Sequence, residues 1–169
     1  RVRRIDENAR HFQRATAFKV YLTNPSMRAA LFGAPAEDDQ TMGALAETAL
    51  LAQWFHQPEI MEHLYYARWP QGEIDFVHMD PASQKPIRIT EVKWSDRPAK
   101  DSALLRHLAF FRGKHPTLQR CEVTTRTLQG NSLLPNGSPI QFQPTSLVVY
   151  EVGKQLLALK QGSPHAGIA

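Results

Sequence analysis

The chain has 169 residues, of which 42% are apolar and 21% are charged, and this is the composition of an ordinary globular domain with one core. Twenty Lys and Arg against sixteen Asp and Glu give a net charge of +4, which is compatible with a polyanionic partner. No apolar run reaches the ~20 residues of a membrane span, we expect no signal peptide, and the single Cys121 excludes an internal disulfide. We therefore predict a cytoplasmic protein without a membrane contact.

The chain divides into three segments by composition. Residues 1–17 are polar and rich in arginine, and are predicted to be a lead-in segment. A solvated segment is the favoured interpretation, and an arginine arm for nucleic acid is the alternative. Residues 18–160 are predicted to form the folded domain, and residues 161–169, a Gly, Pro and Ala tail, to be disordered. Because Arg rather than Met is the first residue, we expect a piece of a longer protein.

The first predicted elements are a strand at residues 18–22 and a short helix at 27–32, which begins after Asn24-Pro25 and ends at Gly33. Residues 43–57 are the clearest helix, with Thr41 as a possible cap and Pro58 after it. Glu47 shares the apolar stripe of this helix with Leu50, Leu51 and Trp54. The carboxylate of Glu47 therefore either has a buried partner or extends to solvent at the edge of the stripe.

Residues 63–67 are predicted to form a strand that leads into an antiparallel hairpin. The strands of the hairpin, 73–79 and 87–93, alternate apolar and polar residues, and turn-forming residues join them at 80–86. Symmetric pairing about this loop places the paired side chains on one face of the sheet. The pairs are Met79 with Ile87, Val77 with Ile89, Asp75 with Glu91, and Glu73 with Lys93.

Asp75 and Glu91 are the informative pair of this hairpin. Like charges on directly opposite residues destabilise a sheet, and a divalent cation is a common reason for tolerating them. A slip of one residue in the register would separate the two carboxylates. The alternative interpretation is a cross-strand ion pair between Glu73 and Lys93, with Asp75 and Glu91 solvated at the end of the sheet.

The rest of the chain is predicted as one helix, two strands and a loop. The helix covers residues 99–112, its apolar stripe is Leu104, Leu108 and Phe111, and its basic residues form either a solvated face or a phosphate-binding surface. Strands are expected at 119–125 and 146–152, and a loop at 129–145.

The carboxylates predict a site for Mg²⁺ or Mn²⁺ that hydrolyses a phosphodiester. Asp75 and Glu91 are the expected direct ligands, because Mg²⁺ prefers oxygen ligands, and the Val92 carbonyl is a possible third. Lys93 would orient or deprotonate the attacking water, or meet the charge of the phosphate. Glu47 would reach the site from its helix as a ligand or through water.

The spacing of these residues resembles the PD-(D/E)XK nuclease superfamily. Asp75 precedes Glu91-Val92-Lys93 by sixteen residues, and the helical Glu47 precedes both. Over residues 18–125 the chain is also similar to the uncharacterised domain that follows the P-loop core in bacterial and archaeal AAA-type ATPases. The segments that carry this second similarity are Lys19-Val-Tyr-Leu22, Asn24-Pro25, Gly43-Ala-Leu-Ala-Glu47, Tyr65-Tyr66-Ala67-Arg68, Gly72-Glu-Ile-Asp-Phe76 and Thr90-Glu-Val-Lys93.

The resemblance implies an α/β fold, a restriction-endonuclease-like mixed central sheet flanked by helices. It also implies Mg²⁺-dependent cleavage of DNA and an ATPase core elsewhere in the full-length protein. The alternative that it leaves open is a catalytically silent domain that docks DNA or protein to the ATPase. The oligomeric state stays open.

Some residues depart from the pattern of the superfamily. Ile74 stands where the motif has proline, and the Gln-x-x-x-Tyr signature of RecB-like nucleases is replaced by His107 and Phe111. The chain has no Walker A sequence, so we expect no ATP site in it.

Overall fold

One mixed β-sheet organises the described part of the chain, which in this computed structural model is residues 1–10, 17–34 and 38–162. Its eight strands lie in the order β2-β1-β3-β4-β5-β6-β8-β7. The neighbours β1–β3, β5–β6 and β6–β8 are parallel, and the other neighbours are antiparallel. The strands are β1 (Val2–Ile5), β2 (Phe18–Lys19), β3 (Leu64–Trp69), β4 (Gly72–Met79), β5 (Pro86–Glu91), β6 (Arg120–Thr125), β7 (Gly130–Leu133) and β8 (Pro139–Pro144).

The helices begin where the sequence supplies caps. The side chain of Asn24 accepts a hydrogen bond from Ser26 N at 2.8 Å, as predicted, and Asp38 rather than Thr41 caps the long helix, by accepting from Thr41 N at 2.7 Å. The helices are α1 (Pro25–Phe32), α2 (Asp39–Trp54), α3 (Pro58–Glu62), α4 (Arg97–Lys100), α5 (Arg106–Lys114) and α6 (Thr145–Gly162).

Helices cover both faces of the sheet, and each face has its own core. On the face that we call the α2 face, Phe76 packs with buried residues of α2 and α6. On the α5 face, Val77 and Ile89 pack with buried residues of α5. Each large apolar side chain that is fully buried contributes about 2 kcal/mol to folding. The helical members are Ala46, Leu50, Leu51, Trp54, Val148 and Val152 on the α2 face, and Leu108, Ala109 and Phe111 on the α5 face. The predicted α/β fold, with a mixed central sheet flanked by helices, is confirmed.

The central hairpin has the predicted register from Phe76 to His78, and the ladder does not include the predicted pairs of Asp75 with Glu91 and of Glu73 with Lys93. Val77 pairs with Ile89, as the alternation of the two strands predicts. Met79 lies opposite Pro86 rather than Ile87, because the ladder is irregular in the last pair before the turn.

A β-bulge interrupts β4 at Asp75. Where β3 advances by two residues, from Tyr65 to Ala67, its partner β4 moves by three, from Val77 to Ile74. The extra residue rotates the local backbone, so Ile74 and Val77 both pack on the α5 face although they are three positions apart. Asp75 thus lies at a point where simple alternation does not fix the direction of its side chain.

The N-terminal residues belong to the sheet, so the prediction of a lead-in over residues 1–17 is wrong for its first part. Val2–Ile5 forms β1 between β2 and β3. Val2 packs in the core of the α2 face and Ile5 in that of the α5 face, and both are fully buried. The two arginines between them obscured the strand pattern, and Arg3 Nη2 donates to Tyr65 Oη at 2.7 Å. Another arginine of the predicted lead-in segment, Arg14, lies outside the described residues.

The C-terminal predictions at 129–145 and 146–152 are also corrected. The expected loop contains the hairpin of β7 and β8, whose turn has Gly137 at φ +77°. The expected strand is the first part of α6, in which Val148 and Val152 are buried at helical spacing. This helix continues to Gly162, and residues 163–169 of the predicted tail lie outside the described residues.

The helix expected at 99–112 is divided at Asp101. α4 ends before this residue, which accepts a hydrogen bond from Ala103 N at 3.0 Å and begins a 3₁₀ turn, Ser102–Leu105, that leads into α5. Because the turn rotates the stripe, Leu104 is half exposed and Leu105 is buried in its place.

Candidate functional site

The predicted site residues lie at one end of the central hairpin. Glu47 comes from α2, Asp75 from the bulge of β4, and Glu91 is the last residue of β5, with Lys93 two residues later. Phe76 pairs with Thr90 at the end of the ladder, and Asp75 and Glu91 each lie one residue beyond this pair. The four side chains are therefore brought to one region of the molecule.

Lys19 of β2 connects the first group of carboxylates. Its Nζ atom lies 2.9 Å from Glu47 Oε1, 3.2 Å from Asp75 Oδ1 and 2.6 Å from Glu73 Oε1. Burial opposes the charge of Lys19, but the negative charges of Asp75 and Glu47 outweigh this effect and raise the pKa of the amine. Glu47 thus has the buried partner that its place on an apolar stripe requires.

Tyr21 also belongs to this group, because its hydroxyl donates to Glu47 Oε1. Burial raises the pKa of Tyr21, and the charge of Glu47 raises it further, so the phenol stays a hydrogen-bond donor. Two donors therefore converge on one oxygen of Glu47.

Asp75 is held by the backbone of the neighbouring strand end. Its Oδ2 atom accepts a hydrogen bond from Val92 N at 2.9 Å, while Oδ1 faces Lys19. Burial raises the pKa of Asp75, and the charges of Glu91 and Glu47 raise it further, whereas Lys19 lowers it. A carboxyl group with a raised pKa beside other acids is the environment that a bound cation relieves.

Glu91 forms the second group, with Lys93 and His107. Glu91 Oε1 lies 2.7 Å from Lys93 Nζ and 3.2 Å from His107 Nε2 of α5. Glu91 is only 4% exposed, and its Oε2 atom is buried without a hydrogen-bond partner among the described residues. Burial alone would raise the pKa of Glu91, but the contact with His107 and the charge of Lys93 lower it.

The two groups contact different helices at the end of the sheet. Asp75 contacts Lys19, which leads to α2, whereas Glu91 contacts His107 of α5. The bulge accounts for this difference, because an extra residue in β4 breaks the simple alternation from which a single shared face is predicted. The groups remain coupled, since Val92 N binds Asp75 and the charge of Glu91 raises the pKa of Asp75.

The alternative ion pair between Glu73 and Lys93 is not formed. Glu73 pairs with Lys19 and with Arg68, whose Nε lies 3.5 Å from Glu73 Oε2, and Lys93 pairs with Glu91. Glu91 is also too buried for a solvated end of the sheet.

A cleft of about 470 Å³ opens beside these residues. Its lining includes the side of α2, the bulge and the chain that follows β5. Lys93 is 39% exposed and its backbone is fixed by Thr124, whose Oγ1 accepts from Lys93 N at 3.0 Å. The lining residues with a direct bearing on chemistry are Glu47, Asp75, Val92, Lys93, Trp94 and Arg97.

Asp96 fixes the loop that forms one wall of this cleft. Its carboxylate accepts backbone hydrogen bonds from Arg126, Thr127 and Leu128 at 2.9–3.1 Å and a hydroxyl hydrogen bond from Thr127 at 2.6 Å. These hydrogen bonds lower the pKa of Asp96 to about 2. The neighbouring Arg97 is thereby held at the rim of the cleft.

The donor chemistry at the end of the hairpin fits a hard divalent cation. Carboxylate oxygens are the ligands that Mg²⁺ prefers, and Glu91 Oε2 is a buried oxygen with no partner among the described residues. In the described ranges, however, no three or more His, Cys, Asp and Glu side chains are grouped as a ready ligand set. Val92 contributes its N–H to Asp75, and the role of its carbonyl stays a prediction.

The sequence analysis did not predict Lys19 and His107 as partners of the acidic side chains. Lys19 lies in a strand of only two residues, far along the chain from each of its partners, and no local pattern marks it. His107 had a signal, because it occupies the first position of the replaced Gln-x-x-x-Tyr pattern. Gly72 makes its approach possible, since a Cβ atom at residue 72 would lie 2.9 Å from His107 Cβ and 2.6 Å from Trp69 Cζ2.

Comparison with known proteins gives no relative: no protein-family profile, curated protein or solved structure matches the chain. What is established is the class of architecture, an α/β domain with a mixed sheet between helices. Within the described ranges, no helix has the length and apolarity needed to cross a membrane.

Proposed function

We propose that this chain is a Mg²⁺-dependent nuclease-like domain that hydrolyses DNA phosphodiesters with metal-activated water, as part of a larger ATPase-family protein. The observation that carries the proposal is the convergence of acidic and basic side chains at one cleft. Glu47, Asp75 and Lys93 line it, and Glu91 binds Lys93 behind it. The link to an ATPase rests on the sequence resemblance.

Asp75, Glu91 and Glu47 would hold the cation, which when bound supplies Lewis-acid polarisation of the phosphate and activation of water. Glu91 is pre-positioned for this role, because Lys93 fixes one of its oxygens, which also lies 3.2 Å from His107 Nε2, and the other oxygen has no partner among the described residues. Asp75 is oriented by Val92 N–H. The deprotonated forms of these acids are the ones that bind a cation.

Lys93 would meet the negative charge of the phosphate rather than accept a proton. Burial alone would lower the pKa of Lys93, but the charge of Glu91, its hydrogen bond with Lys93 and the charges of Asp75 and Glu47 together raise it, so the amine stays protonated near neutral pH. Its exposure lets it reach a ligand in the cleft. Arg97 at the rim adds a second positive charge, as expected for a surface that follows a phosphate backbone.

The test is divalent-cation binding and DNA cleavage by the wild type and by Asp75→Asn and Glu91→Gln. We expect Mn²⁺ binding by calorimetry and nicking of supercoiled, linear or branched DNA by the wild type, and loss of both in each variant. Glu59→Gln, on the exposed α3, is the matched control and should behave as the wild type. The proposal fails if all these proteins bind Mn²⁺ equally poorly and leave the DNA intact.

A second candidate function is a catalytically silent domain that docks DNA or protein. The observation that favours it is that a lysine ammonium already balances Glu47 and Asp75, so these acids have a structural partner without a metal. This candidate predicts salt-sensitive DNA retention that Asp75→Asn does not change, or a protein partner without DNA affinity.

A further inference from the structure

Lys19 is the centre of an ion cluster that is larger than the pairing of Glu47 alone requires. A single ammonium group contacts three carboxylates at 2.6–3.2 Å, and it is 23% exposed. It extends from a two-residue strand at the edge of the sheet, and its Nζ atom also lies 5.3 Å from the centre of the Tyr66 ring. Arg68 also pairs with Glu73, whereas Glu47 and Asp75 are two carboxyl groups that face one ammonium, and this arrangement attracts a further cation.

Two of the three partners of Lys19 are residues that would hold a metal. Its Nζ atom contacts Glu47 Oε1 and Asp75 Oδ1, and Val92 N already binds Asp75 Oδ2, so a cation that joins these two carboxylates would compete with Lys19. Two cations cannot share these oxygens at close range without strong repulsion. Binding of a metal therefore requires Lys19 to leave Glu47 and Asp75.

Glu73 is the carboxylate with which Lys19 can stay paired after it leaves Glu47 and Asp75. The contact between Lys19 Nζ and Glu73 Oε1 is the shortest of the three, at 2.6 Å, and Glu73 is not a predicted ligand. Glu73 is about one-third exposed and is also near Arg68, so the movement would keep Lys19 paired at a wet surface. A small rotation of a flexible side chain suffices, because lysine has a four-carbon stem.

We propose that Lys19 is a resident counter-cation that occupies the carboxylates in the metal-free protein and moves onto Glu73 when a divalent cation binds. This inference rests on the proposed function, since it concerns the same carboxylates. Lys19 would then lower the affinity for metal and stabilise the metal-free site. The raised pKa of Lys19 agrees with a permanent positive charge at that place.

The test is Mn²⁺ affinity, measured by titration calorimetry and by electron paramagnetic resonance, in the wild type and in Lys19→Met. Met keeps most of the length of the side chain and removes its charge. We expect Lys19→Met to bind Mn²⁺ about tenfold more tightly, and its melting temperature to fall without metal and to rise more than that of the wild type when Mn²⁺ is added. Lys85→Met, at the exposed turn before β5, is the matched control and should leave the affinity unchanged.

Glu73→Gln provides an independent arm that also serves if Lys19→Met does not fold. Without its third carboxylate, Lys19 should hold Glu47 and Asp75 more firmly, and we expect Mn²⁺ affinity to fall by about threefold. A role of Lys19 in folding alone would change melting temperatures in both variants and leave the Mn²⁺ affinities equal to that of the wild type.

The outcomes separate this inference from the proposed function. If the wild type binds Mn²⁺ and Lys19→Met binds it equally or more weakly, the inference is overturned and the metal site stands. If Lys19→Met binds Mn²⁺ and the wild type does not, the inference is supported in its strongest form. If neither protein binds Mn²⁺ and neither cleaves DNA, the proposed function fails and the inference with it.

Discussion

Two glutamates on neighbouring strands, Glu91 of β5 and Glu122 of β6, are buried to the same extent, with 4% exposure each. Glu122 is contacted by cations at both of its oxygens: its Oε2 atom lies 2.6 Å from Arg88 Nη2 and 2.8 Å from Arg88 Nε, and Arg120 forms an ion pair with Oε1, although this oxygen accepts no hydrogen bond among the described residues. Glu91 is not, because Lys93 and His107 share one oxygen and the other has no partner among the described residues.

The difference shows how two acids of equal burial can differ in the compensation of their charge. A buried charge costs several kcal/mol unless its partners compensate it. At Glu122 two guanidinium groups do so, and Arg88 also lies 5.7 Å from the centre of the Trp54 ring, so the group is fixed on all sides. At Glu91 the compensation is incomplete, which is typical of a site that awaits a ligand.

The largest effect is expected for Glu122→Gln. Loss of the carboxylate leaves Arg88, which is 26% exposed, without its ion pair, so we predict destabilisation of about 3 kcal/mol in urea denaturation. The response of the melting temperature to Mn²⁺ should stay that of the wild type. Unchanged stability would contradict the structural assignment of Glu122.

An intermediate effect is expected for Asp96→Asn, because Asp96 is a fully paired acid at the surface. We predict a loss of about 1 kcal/mol at pH 7, since the hydrogen bonds to residues 126–128 lose their charge. The pKa of Asp96 is lowered from 3.8 to about 2, so its contribution is complete above pH 4 and is lost as the pH falls towards 2.

Urea denaturation from pH 7 to pH 2 measures the difference in stability between the wild type and Asp96→Asn. The stability curves of the wild type and of Asp96→Asn should converge at the acidic end. Parallel curves over the whole range would show that the charge of Asp96 has no role in holding the loop.

The smallest effect on stability is expected for Glu91→Gln. The amide keeps an acceptor for Lys93 and His107, and Lys93 is exposed enough to be solvated, so we predict a change within about 1 kcal/mol. In thermal unfolding, Mn²⁺ should raise the melting temperature of the wild type but not that of Glu91→Gln. A loss of stability as large as that of Glu122→Gln would remove the distinction between the two acids.

The parts of the fold that follow from local patterns were predictable. The pairing of Val77 with Ile89 follows from alternation and from the loop between the strands, and Asn24 caps α1 as its residue type indicates. The candidate site was predictable to the extent that Glu47, Asp75, Glu91 and Lys93 lie in one region. Their roles in metal binding and catalysis stay predictions.

The parts that depend on contacts between distant segments were not predictable. The bulge at Asp75 has no glycine or proline to mark it. Lys19 and Glu47 are distant in sequence, and only the folded arrangement of β2 and α2 brings their side chains into contact. The β-branched start of α6 favours a strand by itself, but burial of Val148 and Val152 against the core of the α2 face selects a helix. β7 is exposed along its whole length, so it has no alternating pattern.

The close packing around Gly72 means that residues 69, 72 and 107 constrain one another during evolution. Any side chain at residue 72 would collide with Trp69 and with the β-carbon of His107, so a mutation there could persist only after the bulk at both other positions had changed. Divergent descendants that retain Trp69 and His107 should therefore all retain glycine at residue 72. Loss of that glycine in a newly sequenced homologue would be an early sign that the histidine contact to Glu91 has been abandoned.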